Sequence, residues 1–184
     1  MNNATLCDQG FHVEHALGRL VFKFAHLETS LGCAVGYLAN PKESRVGQIL
    51  VAELSFKSRL AVFSTLYPER ITNAPASDKL KAFLSRAHYL EDQRNSLIHS
   101  FYRAGSVGDP TATRIKATAK ESKGLRIQFE QITAQSILAE ADKIPSVEAR
   151  LNMLMVEADD YTRYAAGFYS MLRRNHPLAD PVIK

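Results

Sequence analysis

Tryptophan is missing from this 184-residue chain, and cysteine occurs only at Cys7 and Cys33. Two cysteines cannot staple a miniprotein or form paired Cys-x-x-Cys metal ligands, so both are expected as free thiols. Without tryptophan, any stacking on a nucleobase falls to Tyr, Phe, His or Arg. No apolar run reaches the roughly 20 residues that span a bilayer. The opening MNNATLCDQG lacks the basic-then-apolar pattern of an export signal, which makes a cytoplasmic location the expectation. Charge of one sign is scarce as well: 23 Lys and Arg face 19 Asp and Glu, a net +4, with no dense basic block. That balance permits a polyanionic partner without demanding one. No Gly-x-Ser-x-Gly elbow, P-loop or Gly-x-Gly-x-x-Gly fingerprint is present. Internal repeats and low-complexity tracts are absent too.

What is present is an ordinary globular composition, 46% hydrophobic and 23% charged. It suits one domain over residues 1–184, with an ordered core from about 11 to 174 and a loose tail at 175–184. Leu17, Leu20, Val21, Phe24, Leu27, Leu31, Val35 and Leu38 recur at steps of three and four, which predicts a helix from Glu14 to Leu38. Gly32 and Gly36 permit close packing there, and Asn40-Pro41 stops the element. A second helix is expected over Ser44–Tyr67, capped by Ser44 and closed by Pro68. A third is expected over Asp78–Tyr102, capped by Ser77. Residues 114–119 and 125–131 alternate with period two and predict a β-hairpin that must lean on helices or a second subunit. Thr133 caps a short helix ending near Ile144-Pro145. A last helix runs over Ser146–Arg174 with the stripe Leu151, Leu154, Met155, Ala158, Tyr161, Ala165, Phe168 and Leu172.

The stripe of the third helix reads Leu80, Phe83, Leu84, Ala87, Leu90, Leu97, Ile98 and Phe101. At the positions in between stand Glu91 and Arg94. Charges inside an apolar stripe mark a functional site or a buried ion pair, here Arg94 with Glu91 or Glu28. Asn95 and His99, four apart, share a helix face that Tyr102 extends, whereas Arg94 and His99 diverge by about 140°. Using both at one spot requires a distorted helix or a second copy of it, which a symmetric dimer supplies.

The run Arg94-Asn95-Ser96-Leu97-Ile98-His99, late in a long helix of a helical bundle, resembles the HEPN superfamily. The hallmark of that family is Arg, four to six residues, then His, often with Asn, Asp or His directly after the Arg. The resemblance in architecture covers most of the chain. It implies a mainly α fold: an up-and-down bundle of four main helices plus a short helix, with one inserted β-hairpin. It further implies a homodimeric, metal-independent endoribonuclease that needs no cofactor, in a toxin, abortive-infection or stress-defence setting. Arg94 and His99 would be catalytic, with Asn95, Glu91 and Tyr102 supporting them. Some toxin members carry a Tyr two places after the His, which a separately encoded antitoxin modifies. Here Phe101 holds that place and Tyr102 follows. The alternative is a non-catalytic module of the same fold that binds RNA, a nucleotide or a partner protein.

Other features read as structural. His12 and His15 are spaced like metal ligands, but no third ligand is near, and no metal site is expected. His26, His88 and His176 stand alone. Arg173-Arg174 suits a solvated helix end.

Overall fold

The structure is a computed structural model that describes residues 4–71, 74–104, 111–120 and 124–157. It is mainly helical, with a small antiparallel sheet. The described elements are α1 (Ala4–Ala39), α2 (Ser44–Ala52), α3 (Phe56–Arg70), α4 (Ala74–Ile98), β1 (Phe101–Ala104), β2 (Thr111–Lys120), β3 (Gly124–Thr133), α5 (Ala134–Ala141) and α6 (Ile144–Val156). They group into two compact units. Of the described residues, one unit draws on those within 1–27 and 88–146, the other on those within 28–87 and 147–157.

The stripe of α1 is buried as its period requires: Leu20, Phe24, Leu27, Leu31, Val35 and Leu38 are shielded, whereas Val21 is exposed at the stripe's edge. The helix stops before Asn40, whose side chain accepts the Glu43 N–H at 3.2 Å. The expected second helix is two helices. Ser55 Oγ accepts the Ser58 N–H at 3.2 Å and starts a new helix at Phe56. Glu43, not Ser44, occupies the cap position of α2 and makes no side-chain cap bond. Pro68 sits inside α3 rather than ending it. Its missing N–H forfeits one helical bond, to the Ser64 carbonyl, close to the end of the helix. Helix α4 begins at Ala74 with Pro75 in its first turn, where proline is preorganised, so Ser77 lies inside the helix and is not its cap.

α4 ends at Ile98, and Phe101 and Tyr102 belong to β1. This third strand, absent from the sequence expectation, pairs with β2 in the order β1-β2-β3. The expected hairpin is present in the register Ile115↔Phe129, Ala117↔Ile127 and Ala119↔Leu125, with Phe101 opposite Ile115. Direct partners share a face. Phe101, Ile115, Phe129, Ile127 and Leu125 therefore line one face, and Phe101, Phe129 and Leu125 stay 78%, 69% and 68% exposed. Ala112 and Ile132 turn to the other face and are buried. Thr133 caps α5 through a reciprocal box with Ser136.

In the first unit the buried side chains include Leu20, Phe24, Leu27, Leu90, Leu97 and Ile137. In the second, Phe63 meets Phe83 edge-on at 5.6 Å, and the buried Tyr67 donates its hydroxyl to the Leu154 carbonyl at 3.2 Å. The described part of the last helix buries Leu151, Leu154 and Met155 as expected. Its expected continuation through Ala158, Tyr161, Ala165, Phe168 and Leu172, and the tail at 175–184, lie outside the described residues.

Candidate functional site at the end of helix α4

The last turns of α4 carry the two charges that interrupt the stripe. Leu90 and Leu97 are buried on either side, and Glu91 and Arg94 are half-buried between them. The Arg94 guanidinium lies over the Phe24 ring of α1, 5.1 Å from its centroid. Its Nη1 donates to Asn95 Oδ1 at 2.8 Å. A guanidinium only donates, so Asn95 must present its oxygen to Arg94, which leaves the Nδ2 amide as a donor for another group. Arg94 Nε is buried and bonds no described protein atom. A buried donor in that state is satisfied by a water or ligand oxygen or else costs stability. The ring below, the amide beside it and the helix behind fix the plane of a permanent cation.

Glu91 lies 3.9 Å from His88 Nδ1, one turn before Arg94 on the same helix. Glu28, the other acid weighed for Arg94, lies 3.8 Å from Arg59, whose Nη1 also donates to the Glu28 carbonyl at 3.1 Å.

His99 follows the last helical residue, and its N–H still bonds the Asn95 carbonyl at 3.1 Å. Its side chain is exposed. Helical geometry thus persists to residue 99, so Asn95 and His99 stay on one face and the divergence of Arg94 from His99 is kept. Ser100 closes the helix by donating to the Ser96 carbonyl at 2.7 Å.

Tyr102 does not extend the Asn95–His99 face. From β1 its hydroxyl reaches back to donate to the Leu97 carbonyl at 2.7 Å, satisfying one of the acceptors a helix end leaves open. Burial pushes the Tyr102 phenol above its ordinary value, opposed by Arg114 and reinforced by Glu130. It stays protonated and donates. Across the sheet, directly opposite partners Arg114 and Glu130 pair at 2.6 Å. Lys116 extends from the same face of β2 and donates to Ser96 Oγ at 3.0 Å.

Two contributors escaped the sequence reading. Phe24 was an ordinary member of the α1 stripe, and no local signal sets it apart from Leu20 or Leu27. Lys116 is one polar residue of an alternating strand, and no local signal ties it to α4.

Among the described residues no group of three His, Cys, Asp or Glu could hold a metal ion. His12 and His15 are both exposed, and His26 packs edge-on against Phe22 at 4.8 Å. Cys33 is a buried free thiol, pushed up to about 12 by burial, with Arg59 pulling the other way. The Cys7 side chain, Arg173, Arg174 and His176 lie outside the described residues. Among the described residues no helix is long and apolar enough to cross a membrane. No protein-family model, curated protein or solved structure matches the chain.

Proposed function

We propose that the chain is a metal-independent endoribonuclease of HEPN type that works as a homodimer in the cytoplasm, in a toxin, abortive-infection or stress-defence setting. One observation carries the reading. At the end of α4 a guanidinium is fixed by Phe24 and Asn95, and an exposed imidazole follows within the next two turns. These are the two groups that cleavage by a ribose 2′-hydroxyl needs. His99 takes the 2′-hydroxyl proton as the O2′–P bond forms. The P–O5′ bond breaks, and a protonated imidazole, supplied by His99 of a second copy, returns a proton to O5′. The products are a 2′,3′-cyclic phosphate and a 5′-hydroxyl. Arg94 stabilises the charge that grows on the phosphate oxygens. The divergence of Arg94 and His99 on an undistorted helix supports the dimer, because a second helix brings an arginine to the first helix's histidine. Asn95 holds Arg94 and offers its Nδ2 to phosphate. Tyr102 supports the site by anchoring the end of α4. Its engaged hydroxyl argues against it as the target of a modifying antitoxin, though a separately encoded partner protein fits the same setting.

Incubating the wild-type protein with total RNA in EDTA tests this. Cyclic-phosphate ends should form, and His99→Ala should lower the rate by about 10²–10⁴-fold. Undiminished cleavage by that variant would refute the mechanism. The second reading, a binding module of the same fold, is favoured by the engagement of Arg94 in packing on Phe24. RNA binding without any cleavage by the wild type would select it.

A further inference from the structure

We propose that Lys116 of β2 is a phosphate-binding residue of the site at the end of α4, and that it holds the backbone of a single-stranded RNA beside the phosphodiester that reacts. The inference rests on the ribonuclease reading and names a substrate contact within it.

Four observations converge. Lys116 Nζ donates to Ser96 Oγ at 3.0 Å, so the ammonium is brought to α4 inside the Arg94–His99 segment. Ser96 and His99 are three apart on a helix whose geometry persists to residue 99, which puts their Cβ atoms about 5–6 Å apart. Lys116 is therefore brought to the turn of α4 that precedes His99. The group that holds it is a hydroxyl, which orients an ammonium without neutralising it. Its cross-strand partner is the uncharged Gln128. The acid on that face of the neighbouring row, Glu130, is engaged by Arg114 at 2.6 Å.

The arrangement makes chemical sense for a chain of phosphates. Arg94 presents a fixed, planar fork suited to the reacting phosphate. Lys116 presents a compact point charge with three donors, one of them spent on Ser96, which suits an adjacent phosphate whose exact angle is unimportant. Holding a long lysine side chain half-buried costs conformational entropy that a single bond to a serine recovers poorly. A polyanion in the site supplies the missing return. A purely structural strut between β2 and α4 would need no charge, and this separates the two roles.

The test uses the full chain and a fluorescently labelled, unstructured oligoribonucleotide made uncleavable by 2′-O-methylation, with affinity followed by anisotropy over a salt series. Lys116→Ala should weaken binding about 5–10-fold at 0.1 M salt and lower the slope of log affinity against log salt by about 0.7, the value for one phosphate contact on a single strand. Lys116→Arg should restore most of both. Lys116→Met keeps the aliphatic stem and should lose affinity as the alanine variant does, with an unchanged thermal midpoint. If Lys116→Ala and Lys116→Met bind with wild-type affinity and slope while Arg94→Ala binds more weakly, this inference falls and the ribonuclease reading stands. If the wild type binds no oligoribonucleotide at all, both fall.

Discussion

Replacing Gly47 by alanine tests the packing of the second unit more sharply than any core truncation. Helices α1 and α2 touch backbone to backbone where Gly47 meets Gly36. A Cβ built at Gly47 would sit 2.2 Å from the Gly36 carbonyl oxygen and 2.7 Å from its carbon. Both atoms belong to a helix backbone and cannot swing aside as a side chain would. Relieving the contact to an ordinary 3.4 Å moves the two helices apart by about 1 Å, opening the close packing on either side. Overpacking of this kind costs about 3 kcal/mol, against about 1 kcal/mol gained in helix propensity, so Gly47→Ala should lose about 2 kcal/mol. At Gly36 the nearest atoms to an added Cβ are 3.0–3.1 Å away, led by the movable Gln48 side chain. The Gly47 backbone carbon and oxygen also stand at 3.1 Å and cannot swing aside, so Gly36→Ala should destabilise as well, by less than Gly47→Ala. Gly18, on the same helix α1, has nothing within 4 Å, so Gly18→Ala should stabilise by about 0.5–1 kcal/mol. Thermal unfolding followed by far-ultraviolet circular dichroism should lower the midpoint for Gly47→Ala by about 4–8 °C and raise it slightly for Gly18→Ala. Equal midpoints for these two variants would refute the close crossing.

Cys33 supplies a second readout in the same unit. With its thiol raised from 9.0 to about 12 by burial, iodoacetamide should alkylate it about 10³-fold more slowly than a free thiol at pH 8, measured in a Cys7→Ser background. The same shift fixes a sign: the folded state holds the proton longer, so this contribution to stability is complete below pH 9 and is lost as pH rises from 9 towards 12. Urea midpoints should fall across that window, and Cys33→Ala should flatten the fall. Tyr102→Phe removes the 2.7 Å bond to the Leu97 carbonyl and should cost about 1–2 kcal/mol in urea unfolding, while RNA cleavage keeps its pH profile. A changed pH profile would instead make Tyr102 a participant in proton transfer.

The parts of this fold that were legible in the sequence are those decided by neighbours along the chain. The stripe of α1 and the alternation of β2 and β3 are local periods, and the structure buries or pairs their residues accordingly. The break between α2 and α3 was hidden because apolar residues run on through Leu54, Phe56 and Leu60, and a single serine hydroxyl at Ser55 outweighs that continuity. The end of α4 was hidden for a different reason. Phe101 continues a helical stripe as well as it fits a strand, and what decides is its partner Ile115 in β2. The charges in the stripe at Glu91 and Arg94 stood out locally. The Phe24 ring under Arg94 did not, since the two lie on different helices.

That hidden helix end bears directly on the chemistry. A helix running on to Tyr102 would lay the phenol one turn above His99, on the face it shares with Asn95. The turn at Ser100 and the pairing of β1 with β2 instead send Tyr102 back to the Leu97 carbonyl, beneath the helix end. His99 is left as the last residue with a helical backbone bond and with its imidazole in solvent. The same strand pairing brings Lys116 of β2 onto Ser96. A non-local event, the docking of a four-residue strand, thus leaves His99 exposed at the helix end and brings a cation to the turn before it. A sequence motif of six residues could show neither.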